Sequence, residues 1–119
     1  KSVNDAHGHH AGDVVLQRFA KRIHRSLRRA DVFGRIGGEE FLLVLPSTTT
    51  NEALEIVERM RLVIDRSSEH RYAPAIRYTF SAGVAERRAG DTVALLYARA
   101  DRALYAAKIG GRNRVECAA

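Results

Sequence analysis

The stretch RIGGEEFLLVL, Arg35–Leu45, limits the possible folds more than any other part of this sequence. Gly37 and Gly38 separate a short apolar segment from five consecutive apolar residues, and paired glycines permit a turn with positive φ. We therefore predict a hairpin in which a strand over Asp31–Ile36 returns as a strand over Phe41–Leu45. Because FLLVL does not alternate with polar residues, we expect the second strand to be buried on both faces, in the middle of a sheet.

Three helices are predicted from apolar residues that recur at helical spacing. The first begins at Asp13, after a polar loop over Lys1–Gly12, because a carboxylate at a helix start suits the free N–H groups. The second follows the hydroxyl and amide caps of STTTNEA, and the third spans Thr92–Lys108 and stops at Gly110-Gly111. The expected inward faces are, in chain order, Leu16, Phe19, Ala20, Ile23 and Leu27; Ala53, Val57, Met60 and Ile64; and Leu96, Ala100, Ala103, Leu104 and Ala107.

The remaining segments complete an alternation of helices and strands. A strand with a break at Gly83 is predicted over Ile76–Ala85, after a polar connection over Ser67–Pro74, and a short last strand over Arg114–Cys117. The order α, β-hairpin, α, β, α, β indicates an α+β fold in which helices cover a largely antiparallel sheet. A ferredoxin-type core has one further strand before its first helix. The 119 residues suit a single domain, 1–119.

The charge balance favours an anionic partner. Lysine and arginine number 20 against 14 aspartates and glutamates, so the net charge is +6, and the pI is near 10.1. Nucleic acid, a nucleotide or an acidic protein would suit this charge, and a merely solvated basic surface is the alternative. No apolar run approaches the roughly 18 residues of a membrane span, and no segment has the pattern of a signal peptide. The single cysteine, Cys117, fits a reducing, cytosolic setting.

Two adjacent carboxylates, Glu39 and Glu40, follow the glycines of the predicted hairpin. They are either a charged tip that keeps the sheet edge soluble or hard oxygen ligands for a divalent cation. Adjacent residues on a strand point to opposite faces, so the two glutamates need not share one role. The glycines would also let a nucleotide approach the backbone closely.

The segment NDAHGHHAGD, Asn4–Asp13, allows three interpretations. Its three histidines suggest zinc, but no cysteine or H-E-x-x-H spacing accompanies them. It could be a polar loop with Asp13 as a helix cap. Alternatively, the amide of Asn4 and the carboxylate of Asp13 together could satisfy the hydrogen-bonding edge of guanine.

Two basic segments offer further candidates. In AKIGGRN, Lys108 and Arg112 flank a Gly-Gly pair, which indicates either cationic capping of a helix end or a phosphate clamp. No P-loop spacing and no G-x-S-x-G pattern occurs in the chain. In RRAD, Arg28 and Asp31 form either a surface ion pair or a site where arginine grips phosphate and guanine edges.

Taken together, these motifs resemble the GGDEF-domain family of diguanylate cyclases over nearly the whole chain. The signature stands here as GGEEF, Gly37–Phe41. KSVND is similar to the family's F-K-x-I-N-D, GHHAGD to G-H-x-x-G-D, and TFSAGV to T-x-S-x-G-V. ADRALYAAKIGGRN is similar to A-D-x-A-L-Y-x-A-K-x-x-G-R-N. Five motifs in order, with compatible spacing, make the resemblance specific.

The resemblance implies a nucleotidyl-cyclase or palm-like fold, with a ferredoxin-type core, and a defined reaction. Paired domains, a homodimer, each bind one GTP, and two GTP condense into cyclic di-GMP and two pyrophosphates with Mg²⁺ or Mn²⁺ as cofactor. Glu39 would hold the metal, and Glu40 would support it or activate the attacking 3′-hydroxyl. The GTP-binding residues implied are Asn4 and Asp13 for guanine, Gly37 and Gly38 at the hairpin, and Lys108 and Arg112 for the β and γ phosphates.

The resemblance also implies regulation and a missing part. An R-x-x-D five residues before the signature binds inhibitory cyclic di-GMP in the family, which assigns that role to Arg28 and Asp31, with Arg59 as a secondary arginine. The family's first strand, with a metal-binding Asp, and the helix before it would lie upstream of Lys1. We therefore expect this chain alone to lack turnover.

Three hypotheses about the function of the chain follow. The first is that it is the catalytic part of a diguanylate cyclase. The second is that it is an inactive GGDEF fragment that binds GTP or cyclic di-GMP as a sensor or interaction module. The third hypothesis is that the chain binds nucleic acid, and it is disfavoured because the sequence contains no aromatic RNA-binding motif. The resemblance further implies a sensor or regulatory domain in the parent chain, a cytoplasmic location and no membrane contact by this domain, although the parent could be anchored elsewhere.

Overall fold

The computed structural model describes residues 9–66 and 77–118, with side chains from residue 12 onward. In chain order its elements are α1 (His9–Arg25), β1 (Val32–Gly37), β2 (Glu40–Val44), α2 (Thr50–Asp65), β3 (Ala82–Val84), α3 (Val93–Ile109) and β4 (Val115–Cys117). This order confirms the predicted α+β fold. The expected connection at Ser67–Pro74 and the first residue of the strand expected over Ile76–Ala85 lie outside the described residues. That strand is observed only over Ala82–Val84, so the prediction is wrong for residues 77–81 and 85. No helix in the described ranges is long and apolar enough to cross a membrane.

The described residues form two compact units. The first contains residues 9–46, 77 and 78, and therefore α1, β1 and β2. The second contains residues 47–66 and 79–118, and therefore α2, β3, α3 and β4.

The first helix begins earlier than predicted. It starts at His9, so the loop expected over Lys1–Gly12 is wrong for residues 9–12, and residues 1–8 lie outside the described part. Asp13 is consequently an exposed residue inside the helix rather than its cap. Glycine inside a helix costs about 1 kcal/mol relative to alanine, and burial of the apolar face that includes Val14, Val15 and Ile23 offsets the cost of Gly12.

The predicted hairpin is confirmed, with each strand shifted by one residue. The strands pair antiparallel from Val32 opposite Val44 to Gly37 opposite Glu40, and a bulge lies between Arg35 and Gly37. The two central turn residues are therefore Gly38 and Glu39.

The expected burial of β2 on both faces is wrong. Leu42 and Val44 are 40% and 47% exposed, and Val32, which faces Val44 across the ladder, is 61% exposed. Residues directly opposite each other share a face of the sheet, so one face of the hairpin carries uncovered apolar side chains. An apolar run shows that a strand is hydrophobic, but the neighbouring elements decide which face is covered.

The covered face of the hairpin is aromatic. Phe33 of β1 and Phe41 of β2 stack with ring centroids 5.2 Å apart and an interplanar angle of 5°. Phe19 of α1 contacts both rings at centroid distances of 6.2 and 5.1 Å. Such aromatic contacts contribute about 0.5–1.5 kcal/mol each beyond their buried area, and they fix α1 against the sheet. Phe19 was predicted to face inward, whereas Leu27, also predicted inward, lies beyond the end of α1.

In the second unit, α2 follows its prediction closely. All four residues expected on its inward face, Ala53, Val57, Met60 and Ile64, are buried. Its N-terminus has a capping box, in which the Thr49 hydroxyl accepts from the Glu52 N–H at 3.2 Å and the Glu52 carboxylate accepts from the Thr49 N–H at 2.9 Å. The carboxylate of Glu86 also accepts from the N–H of Thr50 at 2.6 Å, which ties the loop after β3 to this helix start.

Two short strands and a helix complete the second unit. β3 and β4 pair parallel, from Ala82 opposite Val115 to Val84 opposite Cys117, and α3 is the crossover between them. The expected break at Gly83 is wrong, because Gly83 lies inside β3. A Cβ at Gly83 would lie 2.2 Å from both the Ala100 carbonyl oxygen and the Leu104 nitrogen, so the strand needs glycine for contact with α3.

Candidate active site

The hairpin tip presents two carboxylates on a short, defined turn. Gly38 has a φ of +41°, in the left-handed region that favours glycine. Arg35 Nε donates a hydrogen bond of 2.6 Å to the Gly38 carbonyl oxygen, which braces the turn from the strand before it. The Cβ positions of Gly37 and Gly38 have no atom within 4 Å. The glycines therefore leave open space beside the backbone of the turn.

Glu39 is exposed in the turn, and Glu40 is half-buried as the first residue of β2. Among the residues that the structure describes, no three histidine, cysteine, aspartate or glutamate side chains group as a protein-only metal cage would. Magnesium is commonly bound by one or two carboxylates together with substrate phosphates and water. The donor set at this tip therefore fits a Mg²⁺ that arrives with a nucleotide.

A second candidate element is the turn that follows α3. Lys108 lies in the last turn of α3, and Gly110 caps the helix, as expected from the Gly110-Gly111 stop. Gly111 has a φ of +119° and Arg112 a φ of +62°. The N–H of Arg112 donates to the Ala107 carbonyl at 3.0 Å and closes the helix end. Both expected functions of this segment, helix capping and anion binding, are compatible with this geometry.

Sequence reasoning missed what holds this turn in place. Asn113 also has positive φ, +46°, and its side-chain oxygen accepts from Arg61 Nη1 at 2.8 Å. Arg61, on α2, is in turn held by the Glu58 carboxylate, which accepts from its Nη2 at 2.8 Å. The i, i+3 spacing of Glu58 and Arg61 signals an ion pair on a helix. No sequence signal links that pair to Asn113, 52 residues away.

Arg28 and Asp31 form a closed turn before β1. The Arg28 N–H donates to Asp31 Oδ2 at 2.8 Å, and Arg28 Nη2 donates to Asp31 Oδ1 at 2.9 Å and to the Pro46 carbonyl at 3.1 Å. The ion pair predicted here exists, but its two members differ in exposure: the Asp31 side chain is 3% exposed and that of Arg28 is 53% exposed.

The hydrogen bonds from Arg28 hold the pKa of Asp31 below its ordinary value of 3.8, although burial opposes them. A carboxyl group whose pKa is lower in the folded state than in the unfolded state stabilises the fold above the ordinary pKa. That stabilisation is lost as the pH falls below 3.8 and through the folded-state value.

The remaining candidates lie on helices or outside the described residues. Asp13 is exposed on α1, and Arg59 is exposed on α2. Asn4, the other expected guanine-binding residue, and the histidine side chains of the possible zinc site lie outside the described side chains. Within the first unit the structure brings Gly37, Gly38, Glu39 and Glu40 together at one tip. Within the second it brings Lys108 and Arg112 to the two ends of one helix-terminal turn.

The sequence matches a known family over almost its whole length. The family model described as diguanylate cyclase, GGDEF domain, matches residues 1–114. The chain is 39% identical over 118 residues to the diguanylate cyclase DgcP of Pseudomonas aeruginosa, a match that covers 99% of this chain and 18% of DgcP. It is 41% identical over 118 residues to the response regulator PleD of Caulobacter vibrioides, covering 97% of this chain and 26% of PleD. The chain thus spans about a quarter or less of these two relatives.

Solved structures agree with the sequence comparison. The active GGEEF domain of a diguanylate cyclase from Vibrio cholerae superimposes with a TM-score of 0.90 at 35% identity, covering 98% of this chain and 74% of that chain. The GGDEF domain of DgcB from Caulobacter crescentus, solved in complex with c-di-GMP, gives a TM-score of 0.91 at 34% identity, covering 98% and 70%. By family match, sequence identity and fold, this chain belongs to the GGDEF domain family.

Proposed function

We propose that residues 1–119 form one part of the catalytic domain of a diguanylate cyclase and contain most of its site residues. The observation that carries the proposal is the GGEEF signature on a two-residue hairpin turn, in a chain that the family model matches over residues 1–114. The relatives named as diguanylate cyclases support the activity, and the basic net charge of +6 suits triphosphate substrates.

The reaction joins two GTP molecules, each held by one copy of the domain in a homodimer. The 3′-oxygen of one GTP attacks the α-phosphorus of the other, a P–O bond forms, and the bond to the β-phosphate breaks to release pyrophosphate. The reciprocal attack closes cyclic di-GMP and releases the second pyrophosphate. Catalysis of this kind depends on positioning and on stabilisation of charge rather than on covalent intermediates.

The chain's own residues divide these tasks. Glu40 takes the proton of the attacking 3′-hydroxyl, and Asn4 and Asp13 recognise guanine. Lys108 and Arg112 hold the β and γ phosphates, where Arg112 can donate two parallel hydrogen bonds. The open space beside Gly37 and Gly38 admits the phosphates close to the backbone.

Glu39 and Glu40 are the residues that would hold Mg²⁺ or Mn²⁺. Glu39 lies in the turn and Glu40 is the first residue of β2, so one carboxylate can contact the metal while the other takes the proton of the hydroxyl. The metal would supply neutralisation of charge on the phosphate oxygens.

Product binding at Arg28, Asp31 and Arg59 is the second part of the proposal. The side chain of Arg28 carries a positive charge and is 53% exposed, and the GGDEF domain of DgcB was solved with c-di-GMP. Calorimetric titration of the full-length protein with cyclic di-GMP should show binding that Arg28→Ala weakens by about tenfold or more, because charge-assisted hydrogen bonds contribute about 1.5–3 kcal/mol. Unweakened binding would remove Arg28 from the site.

Replacement of Glu40 tests the catalytic proposal directly. The full-length protein is incubated with GTP and Mg²⁺, and cyclic di-GMP and pyrophosphate are quantified. We expect Glu40→Gln to lower turnover by about 10²–10⁴-fold, the usual contribution of a positioned proton acceptor.

The matched control is Glu55→Gln, the same chemical change at an exposed position of α2. It should turn over GTP at the wild-type rate with an unchanged melting temperature. Turnover by Glu40→Gln at the control rate would exclude the proposed role, and absence of cyclic di-GMP from the unmodified full-length protein would refute the cyclase activity itself.

A further inference from the structure

The turn that carries Arg112 has a backbone that needs support from elsewhere. Arg112 and Asn113 are consecutive residues other than glycine with φ values of +62° and +46°. Left-handed backbone is unfavourable for arginine and better tolerated by asparagine, and two consecutive residues hold it where the surroundings over-determine it. Contacts beyond the turn must therefore select this conformation.

Asn113 makes those contacts with both its backbone and its side chain. Its N–H donates to Ser81 Oγ at 3.1 Å, and its side-chain oxygen accepts from Arg61 Nη1 at 2.8 Å. Its side-chain Nδ2 lies 3.4 Å from an Asp65 carboxylate oxygen, in donating geometry. The Asn113 carbonyl oxygen also accepts from Arg61 Nη1 at 3.4 Å, so four groups of one residue are engaged by partners outside the turn.

Arg61 is itself oriented for this contact. Its side chain is only 13% exposed, and it donates through both Nε and Nη2 to the two oxygens of Glu58, one turn earlier on α2. That fork leaves Nη1 directed at Asn113. The hydrogen bond from Arg61 holds the pKa of Glu58 below its ordinary value of 4.5, although burial opposes it.

We propose that Arg61 is a positioning residue for phosphate binding, because its contact with Asn113 fixes the left-handed turn that presents Arg112 and ends the helix carrying Lys108. The inference rests on the proposed function only in assigning phosphates to Arg112 and Lys108. The fixation of the turn by Arg61 follows from the contacts themselves.

Lysine cannot replace arginine in this arrangement. A planar guanidinium reaches two acceptor groups at once, Glu58 with one edge and Asn113 with the remaining nitrogen, whereas an ammonium is a compact point charge without a fork. Arg61→Lys therefore keeps the charge and removes the geometry. Arg66→Lys, at the exposed end of the same helix, is the matched control, because the cap there is made by the Arg66 backbone N–H.

The test has two readouts in the full-length protein. Hydrogen exchange is measured at the amides of Arg112 and Asn113, which are bonded to Ala107 and Ser81, with the amide of buried Ala103 in α3 as an internal reference. Affinity is measured for GTP and for GMP, which lacks the β and γ phosphates. We expect Arg61→Lys to accelerate exchange at Arg112 and Asn113 about tenfold and to reduce the preference for GTP over GMP by a similar factor, with neither change in Arg66→Lys.

Each other outcome would overturn one part of the proposal about Arg61. Unchanged exchange at Arg112 and Asn113, or equal acceleration at Ala103, would show that Arg61 does not specifically hold the turn. Local acceleration with an unchanged preference for GTP would refute the positioning of phosphates. A wild-type protein that does not prefer GTP over GMP would refute the phosphate-binding part of the proposed function, while the exchange rates would still decide whether Arg61 fixes the turn.

Discussion

The two turns that carry candidate residues, one in each unit, obtain their shapes in different ways. The hairpin turn has glycine at its positive φ, at Gly38, and its brace comes from Arg35, three residues away. The turn after α3 has arginine and asparagine at positive φ, and Asn113 is held by Arg61, 52 residues earlier in the chain. Local chemistry is sufficient for the first turn, whereas the second combines a local glycine, Gly111, with contacts from elsewhere in the second unit.

The largest expected effect comes from a glycine-to-alanine change made once in each unit. Gly83→Ala in β3 places a Cβ against the backbone of α3, at 2.2 Å from two atoms that cannot move as a side chain would. We expect a loss of about 3 kcal/mol in the free energy of unfolding, measured by chemical denaturation.

The same change in the hairpin is the control for Gly83→Ala. Gly34 in β1 has no atom within 4 Å of its Cβ position. Because alanine also restricts the unfolded chain, Gly34→Ala should leave stability unchanged or raise it by up to about 1 kcal/mol. If the two variants lost equal free energy of unfolding, the close approach of α3 to Gly83 would not explain the effect of Gly83→Ala.

A smaller effect is expected from Asn113→Gly. Glycine relieves the positive φ but removes the side-chain contacts with Arg61 and Asp65. Since hydrogen bonds to charged groups contribute about 1.5–3 kcal/mol, we expect a net loss of about 1–2 kcal/mol in the free energy of unfolding.

The reciprocal change, Gly38→Asn, should have the smallest effect. Asparagine tolerates left-handed backbone, and the space beside Gly38 is open. We expect a change within about 0.5 kcal/mol in the same denaturation measurement. The opposite result, with stability unchanged in Asn113→Gly and lowered in Gly38→Asn, would contradict the proposal that the hairpin turn has local support and the turn after α3 has distant support.

The same distinction explains which features could be predicted from sequence. The inward face of α2, from Ala53 to Ile64, was predicted in full because four apolar residues repeat at helical spacing beside a capping box. The hairpin and the end of α3 followed from glycines whose conformational freedom is a local property. Glu39, Glu40, Lys108 and Arg112 were placed at those two turns by the same signals.

The errors concern features that neighbouring elements decide. The sequence predicted a helix cap at Asp13 and no helix start at His9, where α1 begins. Burial of the apolar face of α1 outweighs the low helix propensity of Gly12. The exposed face of β2 depends on what covers it, and Gly83 was read as a break because sequence does not show the approach of α3. The contact between Arg61 and Asn113 depends on tertiary packing, so no short-range pattern contains it.

The hydrogen bond from Arg28 to Pro46 has a consequence for strand register. Arg28 stands before β1 and Pro46 stands after β2, so one guanidinium spans the open end of the hairpin. A slip of two residues between the strands would keep the same side chains on each face but would move the Pro46 carbonyl by about 6–7 Å, beyond the reach of Arg28. Arg28 therefore favours the observed register over the misaligned pairings that the repetitive run FLLVL would otherwise permit, and it adds to the local preference of Gly38 for the turn.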